Sequence, residues 1–388
     1  MYKSSNNKQV ILDNVNLKEE INNMKGIAIM LEQDDGTYKE SSTNTFPIDM
    51  KFNSVLSGCI DNLGNRIENS LTYENGIANV ETSNTSYCYL YFDGPTDTEK
   101  MIENVSSDVL WESTLEDDGY RFVGTNPANY VCFGTTDKST CTGNTDLYMY
   151  RIIGIFEGTD GEQHLKLIKK EALNKRSYMW HNDYETDVSW ENSDIYKGLN
   201  GISGGYYSNL FVGNTTYSYI QDTNWIDKIA IWDYTATNTK TYESSGMDYY
   251  SSVVKQTYLH EMNRNTKSSS VGEWTTVPSK IGLMYVSDYL LSLGSSTLEY
   301  TSNTHRTTLK TGWMHISNNY GGASSGEWTM TRYGAYSNGN CIALYVLSAG
   351  HVGGYESNFT YSIRPVFYLT SDVTITGEGS ITNPYIIS

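Results

Sequence analysis

A chain of 388 residues is long enough for two or three domains and a sizeable core. With 33 Tyr, 33 Gly, 13% aromatic and only 19% charged residues it is not a disordered polymer, a class poor in aromatics. The net charge of -18 argues against nucleic acid and anionic membrane as partners, because both need a basic face. No apolar run approaches the roughly 20 residues that span a bilayer, and the opening "MYKSSNNKQV" lacks the apolar h-region of a signal peptide. The expected location is extracellular or at the cell surface after removal of an export segment. The alternative is a phage virion assembled in a cytoplasm. Membrane attachment would then run through an anchor absent from this chain.

In chain order, residues 17–30, "LKEEINNMKGIAIM", predict a short helix running into a strand. Short strand-like pieces then alternate with the turn chemistry of "DDGTY", "DNLGN" and "YENG". The segment closes on "SYCYLYFDGP", where Tyr87, Tyr89 and Tyr91 alternate with Cys88, Leu90 and Phe92. Residues 1–95 read as a small β domain with a short N-terminal helix. From Asp97 to Asp118 eight acids stand against one lysine. With apolar residues at Met101, Val105 and Leu110, residues 96–119 read as a partly helical acidic linker with a solvated face. A second domain over 120–388 opens at "YRFVGTNPANYVCF". In it "LYMYRIIGIF" and "QHLKLIK", joined by "EGTDGE", predict a hairpin turning at Asp160-Gly161. Residues 177–340 are rich in Tyr, Ser, Asn, Gly and Trp and show little periodicity. Helices interrupt them at "SDIYKGLN", capped by Ser193 or Asp194, and at "VSDYLLSLG", capped by Ser287 and stopped by Gly294. The strands "CIALYVLS" and "YSIRPVFYL" flank the turn "GHVGGYES". No βαβ alternation occurs, so the fold class is α+β, mostly β.

The cysteines divide into two local pairs and a single residue. Cys59 and Cys88 bracket one apolar segment, and Cys132 and Cys141 bracket the polar loop "CFGTTDKSTC". Cys341 sits in the apolar run "NCIALYVL" and reads as a small buried hydrophobe. Two local disulfides would stabilise by roughly 2.5–3.5 kcal/mol each on the loop-entropy model in an oxidising compartment. Five reduced thiols is the reading for a reducing one. No CxxC and no Cys/His metal spacing occurs, so no zinc site is expected.

Other motifs fail on their context. "GISGG" at 201–205 matches GxSxG, but a nucleophile elbow needs a buried strand before it, and "YKGLN" is helix-like. "HEMNR" at 260–264 places Arg264 where HExxH needs its second histidine. "QDTNWID" offers Asp222, Asn224 and Asp227 but lacks the Gly and the bidentate Glu of an EF-hand loop. No catalytic residue and no cofactor are assigned. In "YSIRPVFYL", Arg364 and Pro365 interrupt a strand-like run. Pro365 fits a sheet edge or bulge, and Arg364 is expected to donate several hydrogen bonds to loop carbonyls. Both roles are structural.

The strongest functional signal is the aromatic load of the second domain. Trp180, Trp190, Trp225, Trp232, Trp274, Trp313 and Trp328 sit among Tyr, Ser, Asn and Gly. This is the composition of binding paratopes, and the same rings can stack on a sugar face. Most of the seven are expected in cores beneath long loops, with about two facing a ligand.

The ordered segments "YRIIGIF", "LKLIKKEAL", "IGLMYVSDY", "EWTMTRYG", "IRPVFYL" and "GSITNPYII" give the chain its resemblance to a family. The chain resembles uncharacterised modular surface proteins of Gram-positive gut bacteria and their phages. "AIMLEQDDGTYKES" and "CYLYFD" resemble the small domain that often precedes that unit. The layout is also similar to the C-type-lectin fold in its formylglycine-generating-enzyme-like branch. Trp328 and Ser362-Ile363-Arg364 stand in the places of that fold's recurring Trp strand and Gly-Val/Ile-Arg strand. This resemblance implies a C-type-lectin-like domain over 120–388 with few helices and long loops. The oxidase of that branch uses a pair of nearby cysteines, whereas from residue 177 onward only Cys341 is present. Calcium-dependent sugar binders carry Glu-Pro-Asn or Gln-Pro-Asp with Trp-Asn-Asp. Here "WHND" stands at 180–183 with neither proline motif. What remains is ligand display, that is, an adhesin-like protein presenting Tyr/Trp-rich loops to a host-surface glycan or protein. A pilin-like stalk subunit that self-associates is one rival, and an enzyme on the same fold is another. The expected ligand-binding residues lie between "GWMHI" and "SIRPV": Trp313, Trp328, Arg332, Tyr333, Tyr336, Asn338 and Tyr355.

Overall fold

The computed structural model describes residues 9–11, 24–33, 35–42, 45–47, 50–74, 77–80, 86–115, 119–183, 188–237, 252–262, 274–316, 326–335 and 341–388. The chain divides into two compact units, Met1–Thr96 and Asp97–Ser388. Most of the expected N-terminal helix, residues 17–23, lies outside the described residues. Its continuation is the strand Met24–Glu32.

In the first unit that strand pairs in parallel with Ser86–Asp93, at the centre of a six-stranded sheet. The alternation read in "SYCYLYFD" sorts the faces as period-two strand geometry requires. Cys88, Leu90 and Phe92 are buried, while Tyr87, Tyr89 and Tyr91 keep solvent contact. Leu90 and Phe92 form a small core with Ala78, against which Ile27, Ile29, Leu31, Phe52 and Tyr73 pack. Cys59 and Cys88 lie directly opposite on neighbouring antiparallel strands and are disulfide-bonded, with Cα atoms 4.0 Å apart.

The second unit holds an eight-stranded and a five-stranded sheet, a two-stranded ribbon and short helices. The molecule is α+β and mostly β. The expected hairpin is Met149–Glu157 with Gln163–Lys169, and both strands are almost wholly buried. One edge of Met149–Glu157 pairs with Tyr120–Phe122 and Tyr130–Cys132. Gln163–Lys169 continues the sheet to Val366–Tyr368. Phe133, Tyr150, Phe211 and Phe367 form an aromatic centre. The Cys132–Cys141 disulfide closes its loop, and Cys341 is free and buried.

Four readings of local structure are corrected or sharpened. The acidic segment is no tether along its described length. Asp97–Asn104 is a helix, and Leu110–Glu112 pairs with Tyr120–Phe122. Met101, Leu110 and Leu115 are buried. Among the described acids Glu103, Asp108 and Glu112 are exposed while these apolar residues reach the core, an amphipathic pattern. The helix Asp194–Asn200 starts as expected, with Ser193 Oγ accepting from Tyr196 N at 3.1 Å, and ends on Gly201 at φ 68°. The helix Val286–Leu290 is not capped by Ser287. Tyr285 N donates to Asp288 Oδ2 (2.8 Å), and the carboxylate of Glu261, from another helix, accepts from Val286 N (2.9 Å) and Ser287 N (2.8 Å). Finally, "GHVGGYES" contains a strand, Val352–Glu356, antiparallel to Cys341–Leu347.

"YSIRPVFYL" is two strands. Thr360–Ser362 belongs to the five-stranded sheet and Val366–Tyr368 to the eight-stranded one, so Ile363, Arg364 and Pro365 are the crossing between them. Proline's missing N–H falls where no ladder needs it. The carbonyls of Ile363 and Pro365 accept from Leu173 N (2.8 Å) and Lys169 N (3.0 Å). Arg364 is buried. Its Nε and Nη2 donate to Glu327 Oε1 (2.7 Å) and Oε2 (2.9 Å), and Nη2 also donates to Met314 O (2.6 Å). The expected pinning role is thus carried by one bidentate carboxylate and one carbonyl, not by several carbonyls.

Candidate functional site

Three segments of the second unit meet around one cleft: the hairpin turn 157–164, residues 229–233, and residues 370–372. Main-chain pairing places them. Ala230 N donates to Tyr368 O and Thr370 N to Lys228 O, both at 2.9 Å, with an antiparallel bridge between Ile229 and Leu369. Leu369 N donates to Leu165 O at 2.9 Å, which joins the hairpin to the same ladder.

This ladder lays Trp232 on Tyr368 with ring centroids 3.6 Å apart and planes 5° apart. Tyr368 is itself fixed in the buried strand Val366–Tyr368, with Lys166 Nζ 5.3 Å from its ring centroid. Trp232 keeps partial exposure and lines the cleft, so its ring is held rigidly with surface left for a ligand. His164 meets it edge-on at 5.6 Å. His164 Nδ1 donates to Leu369 O (2.7 Å), and Nε2 lies 3.1 Å from both oxygens of Asp160. Burial alone would raise the Asp160 carboxyl, but the His164 contact and the N–H of Glu162 outweigh it and hold the group below its ordinary value. The turn needs glycine at 158. A Cβ there would come within 2.6 Å of Asp160 Oδ1 and 2.8 Å of His164 Nε2.

The cleft has a volume of about 780 Å³ and is open on one side, a size that suits a small-molecule or oligosaccharide unit. Glu157, Asp160, Asp233 and Asp372 line it together with Thr159, Thr370 and Ser371, and Ile231, 68% exposed, stands at its rim. The lining amine, Lys280 Nζ, donates to Ile226 O at 2.6 Å and lies 3.9 Å from Asp227 Oδ1. Chemically this is an aromatic platform ringed by hydrogen-bond acceptors and hydroxyls.

A second cavity, of about 450 Å³, lies by His181, Asp194, Lys197 and Tyr206. There Asp194 accepts from the main-chain N of Asn182 (2.8 Å) and Tyr206 (2.6 Å) and lies 2.9 Å from His181 Nδ1. Its carboxylate is thereby committed to holding the chain.

Of the expected ligand residues whose side chains are described, three are buried and one is exposed. Trp328 is fully buried, with its ring between Tyr345 and Tyr361 and its Nε1 donating to Tyr178 O (2.8 Å). Trp313 is buried, with its Nε1 donating to Phe122 O (2.7 Å) and the Arg151 guanidinium 4.5 Å from its ring. Arg332 is also buried. All three are core residues, and for Trp313 and Trp328 the satisfied indole N–H is what lets the ring sit inside. Tyr355 is exposed and packs edge-on against Phe359 at 4.2 Å. Tyr333 lies in the strand Gly326–Ala335 but its side chain is not among those described, and Tyr336 and Asn338 lie outside the described residues.

Of the seven tryptophans from Trp180 onward, Trp180, Trp190, Trp313 and Trp328 are buried, while Trp225 and Trp232 are partly exposed. The side chain of Trp274 is outside the described set. Sequence reasoning counted Trp232 in the aromatic load but did not single it out, and it read Asp160 only as turn chemistry. Among the described residues no cluster of three or more His, Cys, Asp or Glu could hold a metal, and no helix is long and apolar enough to cross a membrane. No family model, curated protein or solved structure matches the chain.

Proposed function

We propose that this chain is a non-enzymatic, adhesin-like binding protein, borne outside the cell or on a virion, that takes a glycan in the cleft at Trp232. The observation that carries the reading is the indole clamped on Tyr368 at 3.6 Å while still lining an open cleft. A sugar ring presents an apolar C–H face and a polar hydroxyl rim. An aromatic plate beside carboxylates and hydroxyls matches both. Because the plate is already immobilised, little ordering cost opposes binding.

The test is a glycan and host-surface-protein array, followed by titration of any hit with the wild type and with Trp232→Ala. Glycan binding weakened tenfold or more by Trp232→Ala, at an unchanged melting temperature, is the expected result. Binding of a protein ligand indifferent to Trp232 would overturn the glycan reading. Cleavage of a bound glycan would overturn the non-enzymatic one. Self-association with no ligand at all would favour a stalk subunit.

A further inference from the structure

Resting on the reading that the cleft at Trp232 binds a glycan, we propose that it selects a sugar bearing a free, protonated amine over acetylated and anionic sugars. Four carboxylates line the cleft, those of Glu157, Asp160, Asp233 and Asp372. Asp160 is matched by His164 at 3.1 Å. Lys280 is turned onto Ile226 O at 2.6 Å, with Asp227 as its nearest acid. That leaves Glu157, Asp233 and Asp372, all exposed, and among the described residues none of the three has a side-chain hydrogen bond or an ion pair.

Three uncompensated acids around one aromatic plate give the cleft a sign. A cation drawn there meets opposite charge on the walls and an indole below it, and an ammonium over a tryptophan face gains cation–π attraction as well. The field of the whole chain, at net -18, acts in the same direction. A sialylated or sulfated sugar meets like charge from Glu157, Asp233 and Asp372. An acetylated amine keeps the stacking but loses the charge. Glu157, Asp233 and Asp372 therefore set the preference and Trp232 sets the stacking, so the two can be separated by experiment.

The test compares oligomers of glucosamine with oligomers of N-acetylglucosamine of the same length, by calorimetric titration of the full chain at pH 6 in low and in high salt. The amine form is expected to bind at least tenfold tighter in low salt, about 1.4 kcal/mol, and most of that margin should vanish in high salt. The double change Asp233→Asn with Asp372→Asn should weaken the amine oligomer far more than the acetylated one and so remove most of the margin, with the melting temperature in place. Trp232→Ala should weaken both. Equal affinity for the two oligomers with Trp232 still required overturns the charge preference and leaves the glycan reading intact. Preference for a sulfated or sialylated sugar also overturns it. A lysine-rich peptide that binds while neither oligomer does removes the glycan reading as well.

Discussion

Arg364 is a buried guanidinium whose ion-pair partner, Glu327, is buried as well. It sits where the chain leaves one sheet for the other, and its bidentate grip on Glu327 ties that crossing to the strand Gly326–Ala335. Burial pushes the Glu327 carboxyl above its ordinary value, and the Arg364 guanidinium offsets only part of that. Removing the arginine would leave a buried carboxylate without its counter-charge and Met314 O without its donor. Arg364→Ala is expected to cost roughly 3–5 kcal/mol, the scale for breaking a buried pair from one side. Arg364→Lys should recover only part of that, because an ammonium cannot reproduce the planar fork. Denaturant midpoints would check both, and the double change Arg364→Ala with Glu327→Gln should be less destabilising than Arg364→Ala alone. An unchanged midpoint for Arg364→Ala would show that the pair is dispensable. The sequence revealed that an arginine beside a proline needs a structural reason. It could not reveal the partner, because Glu327 lies 37 positions away.

At the scale of elements, what was legible is what is local. Period-two alternation marked the strand Ser86–Asp93 and the hairpin around Asp160-Gly161, and the spacing of the cysteines marked both disulfides. Ser193 caps its helix through a contact three residues on, to Tyr196 N. What was hidden depends on distant pairing. The Trp232 platform exists because residues 228–230 pair with 368–370. A tryptophan in a core and one on a surface also have the same composition around them. The helix Val286–Leu290 shows the same limit, since its first N–H groups are capped by Glu261. Glu261 also accepts from the Thr331 hydroxyl. Burial pushes this carboxyl up to about 7 against the pull of its three donors. An unfolded glutamate titrates near its ordinary value of 4.5. Between those two pH values the folded chain holds a proton that the unfolded chain has released. Stability contributed by Glu261 is therefore full below about pH 4.5 and falls as pH rises to about 7, by on the order of 3 kcal/mol. Glu261→Gln should flatten that part of the slope. Urea midpoints at pH 5 and pH 8 for both proteins would check it, and parallel slopes would show that Glu261 stays charged throughout.

For the whole molecule, the covalent frame and the unit boundary are both testable. With two disulfides and one buried thiol, thiol titration under denaturing, non-reducing conditions should count one free group per chain, Cys341, and almost none before denaturation. Five free thiols in protein from an oxidising compartment would contradict that frame. The boundary matters more for how the molecule is understood. By charge the acidic stretch looked like a spacer between domains. By packing it opens the second unit. Met101 and Leu110 join the main core and Leu115 the neighbouring one. Asp97 Oδ2 accepts from Ile375 N at 2.7 Å, tying the start of the unit to a strand near its end. A fragment beginning at Asp97 should therefore melt as one cooperative unit. One beginning at Tyr120 loses three buried apolar side chains at about 1.5–3 kcal/mol each, and it also loses the strand that covers Tyr120–Phe122. It should fall by about 5 kcal/mol or more, enough to remove most of the margin of an ordinary domain. Denaturant curves of the two fragments decide the matter. Equal midpoints would restore the acidic stretch to the status of a linker, whereas a large gap fixes the beginning of the second unit at Asp97.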